Sequence, residues 1–335
     1  MRKLFNGMIF TLLVFTMAAC GEDEPETSEN SGDDELTPVS FVLDWTPNTN
    51  HTGIYVAKEQ GYFEEQGLDV EIMLPGEAGA NQLIASGNAD FGISYQEGLT
   101  MARAEGLPLV SVAAVLQHNT AGYASPVDKG LTSPADFEGR IYGGNGSDLE
   151  EAMMGTIMEQ NGADINEVDF ITIGDTDFFT AVERDVDFSL VYYGWTGIEA
   201  ELRGVDLNMV YLADFSEKLD YYTPILATNE EMVDEDPELV EAFVHAAAKG
   251  YEYAIDNPED AASILIEAEP DLDPELVKNS QEWLSPRYQD DAESWGIQEQ
   301  DRWEDFSDWM VENELIEEPI DVDRAFTNEF LPSNE

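Results

Sequence analysis

Along the chain, short apolar runs alternate with stretches whose apolar residues recur every three to four positions. Residues 39–43, 70–73, 91–94 and 109–116 have the length and content of strands, whereas 52–60 and 80–86 carry helical spacing. The plan repeats further on, with a strand at 140–142, a glycine-rich turn, a helix over 149–160 and strands at 170–173 and 188–193. This alternation predicts sheets with helices on their faces, an α/β fold. After Asn229 the pattern turns helical. Segments 237–256, 258–267 and 274–283 each open on proline, which suits the first turn of a helix. A last helix over 298–314 carries Trp303, Phe306, Trp309 and Met310 as a core stripe.

Two segments are candidate crossings between the middle unit and the rest: 122–128, with Pro126, and 222–229, with Pro224. They divide the folded part into a first domain of residues 38–124 plus 226–335 and a second of 125–225. Both are expected to be α/β.

The first 19 residues read differently. Met1-Arg2-Lys3, an apolar run over 4–18 and small residues before a cleavage point make a secretory signal, too short for a membrane span. Cys20 is the sole cysteine of 335 residues, so it has no internal disulfide partner, and it stands where a lipoprotein signal accepts a diacylglyceryl group. Residues 20–37 are then a lipidated cysteine and an acidic flexible leash, because a segment so poor in apolar groups does not offset its own ordering entropy. The expected location is the extracytoplasmic face of the cell membrane, held through the lipid.

Charge narrows the partners. Seventy-two acidic residues against 14 basic ones give a net charge of −58, which excludes nucleic acid as a partner. The acids are spread over every segment, which predicts a solvated coat suited to high salt, and a halophilic or haloalkaliphilic source.

No enzyme motif is present: there is no G-x-S-x-G, no H-E-x-x-H, and Cys20 belongs to the anchor. His51, His118 and His245 lie far apart and show no metal-ligand spacing. No catalytic residue, cofactor or metal is expected. Gly143-Gly144-Asn145-Gly146-Ser147-Asp148 could face a ligand with free N–H groups or simply connect a strand to a helix; it lacks a nucleotide-loop pattern and any basic residue.

Aromatic residues and carboxylates gather where strands end. Asp44, Trp45, Asn48 and His51 follow the first strand, and Tyr95 and Glu97 follow the strand over 91–94. Tyr192-Tyr193-Gly194-Trp195, then Glu199, repeats the arrangement in the middle unit, and Tyr221-Tyr222-Thr223 sits at the second crossing. Open α/β sheets bind ligands at such strand ends. Rings give stacking surface, and carboxylates and amides accept hydrogen bonds from exocyclic amino groups, so the inventory suits a flat, polar heteroaromatic. No Arg or Lys stands in these segments to favour an anion. Each residue fits equally a core aromatic or a helix cap, and the residues alone leave that open.

The segments Asp44-Trp45-Thr46-Pro47-Asn48-Thr49-Asn50-His51-Thr52-Gly53, Ala57-Lys58-Glu59-Gln60-Gly61-Tyr62-Phe63 and Gly87-Asn88-Ala89-Asp90-Phe91-Gly92-Ile93 resemble the solute-binding lipoproteins of ABC importers. Tyr142-Gly143-Gly144 and Gly194-Trp195-Thr196-Gly197-Ile198-Glu199-Ala200 extend the likeness, which is strongest to the branch that binds formylaminopyrimidine, a thiamine precursor. The resemblance implies a two-domain type II periplasmic-binding-protein fold with the ligand cleft between domains. It implies a monomer that takes a small pyrimidine and passes it to ABC permease subunits. It also makes ligand contacts of the strand-end residues above, with Asn145, Ser147, Tyr193 and Tyr222. The wider superfamily takes sulfonates and nitrate, so such a solute, or a riboflavin-like one, is the rival ligand. Thiamine-pyrimidine synthases belong to the same family and carry a lysine and a histidine just after the strand matching Gly92-Ile93, together with a cysteine-rich iron segment. This chain has Ser94 and Gly98 at those places and no cysteine beyond Cys20, so the resemblance implies binding without chemistry.

Overall fold

The computed structural model describes residues 36–174 and 176–333. The expected signal, Cys20 and nearly all of the leash lie outside these residues. Strands β1 (Thr37–Val42), β2 (Leu68–Met73), β3 (Phe91–Ser94) and β4 (Leu109–Ala114) precede β5 (Ala121–Pro126), β6 (Ile141–Gly144), β7 (Asp169–Thr172), β8 (Phe188–Tyr192), β9 (Leu207–Tyr211) and β10 (Ile225–Asn229). The helices that position the site and the core are α1 (Thr52–Glu59), α2 (Ala80–Ala85), α3 (Gln96–Ala104), α4 (Asp148–Gln160), α5 (Ile198–Arg203), α6 (Pro237–Asp256), α7 (Pro258–Ala268), α8 (Pro274–Leu284) and α9 (Gln300–Glu312).

The strands form two five-stranded sheets with one plan. The first has the order β2-β1-β3-β10-β4 and the second β7-β6-β8-β5-β9. In each, three parallel strands are followed by an antiparallel strand that arrives from the other sheet's half of the chain: β10 between β3 and β4, and β5 between β8 and β9. The order reverses direction at β1 in one lobe and at β6 in the other, the switch points at whose carboxyl ends open sheets bind ligands.

The chain crosses between lobes over 115–120 and 212–224. The segment 122–128, expected as the first crossing, falls largely on β5, and the second expected crossing runs into β10. The misplacement has a physical cause. β5 is the sequence Ala-Gly-Tyr-Ala-Ser-Pro, buried between two antiparallel neighbours, and its small residues fit because a Cβ at Gly122 would lie 3.0 Å from the Val210 carbonyl oxygen. Small residues plus proline read as a loop when the flanking strands are unseen.

Packing follows the apolar pattern. Phe243 on α6 stacks on Phe91 of β3 at 4.0 Å between ring centroids, and Phe41 and Phe63 close around it at 5.6 and 5.2 Å. The aromatic stripe of α9 is a core stripe, as expected, but it serves both lobes. Trp303 packs in the first lobe under β4 and β10, whereas Phe306, Trp309 and Met310 pack with Tyr123, Tyr142 and Phe188 in the second. The helix assigned by sequence to one domain therefore ties the two together. No helix among the described residues is long and apolar enough to cross a membrane.

Candidate functional site

The loop after β1 builds itself around Asn48. Its side-chain oxygen accepts from the Asn50 N–H at 2.9 Å, its amide donates to the Thr46 carbonyl at 3.0 Å, and its own N–H donates to Nδ1 of His51 at 3.2 Å. An imidazole that accepts at Nδ1 carries its proton on Nε2, and Nε2 of His51 points at Oδ1 of Asp44, 2.6 Å away. Tyr95, the residue ahead of α3, donates its hydroxyl to Oδ2 of the same carboxylate. His51 is fully buried, so this relay is internal. Burial alone would raise the Asp44 carboxyl, but the hydrogen bond and charge of His51 and the bond from Tyr95 outweigh it and hold it below the usual carboxylate range. Asp44 is ionised, with each oxygen already accepting one bond.

Beside Asp44, Trp45 is 57% exposed, a large indole outside the core. A pocket of about 300 Å³ opens nearby, lined by Asp44, Asn81, Ile93, Ser94 and Tyr95 among others. Ser94 donates to Oδ1 of Asn81 at 2.6 Å, and a Cβ at Gly98 would meet the Asn81 amide nitrogen at 3.2 Å. Asn81 thus lies against both Ser94 and Gly98.

α3 is clamped by its first residue. The N–H of Gln96 donates to the Tyr222 carbonyl at 3.0 Å, and its side-chain oxygen accepts from the Tyr222 N–H at 2.8 Å. The next residue, Glu97, has a buried Oε2 with no hydrogen-bond partner among the described residues. Burial pushes its carboxyl up to about 8.

The second lobe contributes Tyr192, the last residue of β8. Its hydroxyl is raised by burial and by the charges of Glu97 and Asp44, which act on it because they lie close by, and it raises the Tyr95 hydroxyl in turn. Sequence reasoning named the Tyr192-Tyr193 pair and took Tyr193 as the expected contact, whereas the structure sets Tyr192 beside the acids. Tyr193 opens a π-turn (Tyr193–Gly197), packs its ring 5.2 Å from Trp283, and donates to Glu201. The usable signal was position, since a strand's last residue sits at the carboxyl edge of its sheet.

Other expected contacts are placed elsewhere. Tyr222 is fully buried; its hydroxyl accepts from the Glu299 N–H at 2.9 Å and Arg302 covers its ring at 4.5 Å, so it anchors the crossing. Glu199 pairs with Arg203 one turn on, as an i,i+4 ion pair of α5. Trp195 packs against the first lobe's core next to α8. Asn145 and Ser147 are exposed, yet their side-chain oxygens are spent on the turn: Asn145 accepts from the Ser147 N–H at 2.8 Å, and Ser147 caps α4 by accepting from Glu150 at 3.3 Å. The structure therefore brings Asp44, Asn48, His51, Tyr95 and Glu97 together, adds Tyr192, and sets Tyr193, Glu199 and Tyr222 apart.

Of the remaining polar clusters, His118 lies in the first crossing. Its Nδ1 is 2.6 Å from Asp220 in the second crossing, and its Nε2 is 3.1 Å from Asp291. The Asp220 bond, against the opposing effect of burial, raises the imidazole to about 9. A histidine so protonated donates to a carboxylate at each nitrogen.

A double lobe with one sheet plan, joined by two crossings and a shared helix, is the periplasmic-binding-protein fold. The NMT1/THI5-like family matches residues 48–261, more than half of the chain, and the chain belongs to it. It is 31% identical over 332 residues to the formylaminopyrimidine-binding protein of Halalkalibacterium halodurans, covering 97% of this chain and 99% of that one. It is 26% identical over 300 residues to the 4-amino-5-hydroxymethyl-2-methylpyrimidine phosphate synthase of Legionella pneumophila, covering 88% and 92%. Among solved structures, the periplasmic aliphatic sulphonate binding protein SsuA of Escherichia coli superposes with a TM-score of 0.68 at 13% identity, over 90% of this chain and 94% of that one.

Proposed function

We propose that this protein is an extracytoplasmic solute receptor that closes on a formylaminopyrimidine-like thiamine precursor and delivers it to an ABC permease. The near full-length likeness to a formylaminopyrimidine-binding protein carries the reading. The chemistry of the strand-end cluster supports it. Trp45 and Tyr192 offer faces for a flat ring, and Asp44, Tyr95 and Glu97 offer polar atoms for its edge. The groups that act most on Tyr95 and Tyr192 are acids and another tyrosine, with no lysine or arginine, which disfavours a sulfonate. Ser94 and Gly98, both tied up against Asn81, disfavour the synthase reading. Lipidation of Cys20 and the leash complete the proposal: the receptor works as a tethered monomer, hinging at the crossings, and takes no cofactor or metal.

Calorimetry of the purified full chain tests the ligand. Formylaminopyrimidine should bind with a Kd in or below the micromolar range, about −8 kcal/mol or better, while an alkanesulfonate and riboflavin do not bind. Saturable riboflavin or sulfonate binding with an inert pyrimidine would replace this reading by the rival solutes.

A further inference from the structure

Of the carboxyls expected to meet ligand, Asp44 already accepts from His51 and Tyr95, and Glu199 is held by Arg203. Of the three, Glu97 alone keeps a buried oxygen with no hydrogen-bond partner among the described residues. Among the described residues no cation pairs with it. The titratable groups on which it acts are Tyr95 ahead of its own helix, Tyr192 at the end of β8, and Tyr221 in the second crossing. A buried anion without a cation is costly, and neutralisation by a proton is the cheaper state. The helix that carries Glu97 is fixed by the two Gln96–Tyr222 bonds, so the side chain starts from a held backbone.

We propose that Glu97 takes the ligand as a neutral carboxylic acid, its carbonyl oxygen accepting from the exocyclic amino group of an aminopyrimidine while its O–H donates to the adjacent ring nitrogen. The inference rests on the aminopyrimidine reading above and names the edge of the ring that is read. A protonated carboxyl sets one donor and one acceptor in a plane, which complements the N=C–NH₂ edge; an ionised one offers two acceptors and repels the ring nitrogen's lone pair. The elevated carboxyl of Glu97, about 8, keeps the acid form dominant at neutral pH. Binding then selects the protonated state and weakens as that state is lost.

Glutamine is a neutral donor–acceptor pair of the same shape, so E97Q separates the two protonation states. Calorimetry with formylaminopyrimidine should show wild-type affinity level up to about pH 7 and falling by nearly tenfold per unit well above the Glu97 midpoint. E97Q should stay within about threefold of wild type at pH 6 and lose nothing toward pH 10, while E97A is weaker by about tenfold or more throughout. E97Q as weak as E97A at pH 6, wild-type affinity flat to pH 10, or an equal decline in E97Q would each overturn the neutral acid. Infrared spectra of the ligand-free protein supply a readout independent of ligand: a protonated-carboxyl band present at pH 6, lost by about pH 10 and missing from E97Q. That band without any pyrimidine binding overturns the ligand reading alone, and its absence overturns the protonation state alone.

Discussion

At the scale of single residues, the strand-end segments disclosed the kind of chemistry before they disclosed which atoms are free. Asp44 and Glu97 are both acids placed just after strands, yet their environments drive them apart: one ionised by His51 and Tyr95, the other kept neutral by burial. His51 stands in the same loop as Asp44, but Tyr95 arrives after β3, and the groups around Glu97 come from the second crossing and the other lobe, which no local pattern shows. Glu199 was more legible than its expected role allowed, since Arg203 stands four residues on and such a pair forms within any helix. Trp45 gives the cleanest residue-level test. At 57% exposure it contributes little to the core, so Trp45→Ala should leave the melting temperature within a degree or two. The same substitution should cost roughly 1–3 kcal/mol of pyrimidine binding by calorimetry, the scale of a base on an aromatic platform. Unchanged affinity in the folded variant would remove Trp45 from the site.

At the scale of elements, most of the fold was legible because each signal was local. Prolines opened α6, α7 and α8 where expected, and apolar runs marked β1 to β4. What the pattern left out was contact between elements distant in sequence. The expected helix over 52–60 and the one over 237–256 meet so closely that only glycine fits at the crossing: a Cβ at Gly250 would lie 2.0 Å from the Gly53 carbonyl oxygen, and one at Gly53 would lie 2.3 Å from the Tyr251 ring. A glycine inside a helix lowers its propensity, so sequence alone counts Gly250 as a weak point. In the fold it is a packing requirement. Gly250→Ala, a helix-favouring change in isolation, should therefore destabilise by about 1–3 kcal/mol or more through overpacking. Denaturant titration decides this, because a variant as stable as wild type would mean that α1 and α6 can part without loss.

At the scale of the whole molecule, both lobes share one strand plan, and their linkage is spread over several elements. Two crossings and α9 join them. A further chain runs from the β1 loop through α8, with Thr49 and Ser280 hydroxyls 2.5 Å apart and Ser280 donating on to the Gly194 carbonyl of the π-turn. Around this body lies a net charge of −58, and several of the few cations are spent on local pairs: Arg103 and Arg324 both on Glu230 at 3.0 and 2.8 Å, and Lys129 on Asp187 at 2.8 Å. The remaining acids repel one another across the surface, and the repulsion is larger in the compact state than in an expanded chain. Its range depends on salt: the screening length is about 30 Å in 0.01 M salt, comparable to a domain, and about 3 Å at 1 M, shorter than most spacings between surface carboxylates. Raising sodium chloride from about 10 mM to about 1 M should therefore raise the melting temperature steeply at low concentration and level off once neighbours are screened. Chloride is the anion to use, because sulfate strengthens apolar burial by its own exclusion and would blur the comparison. A melting temperature that stays level across that range would mean the acidic coat imposes no cost on the fold, and would withdraw the halophilic reading of the chain.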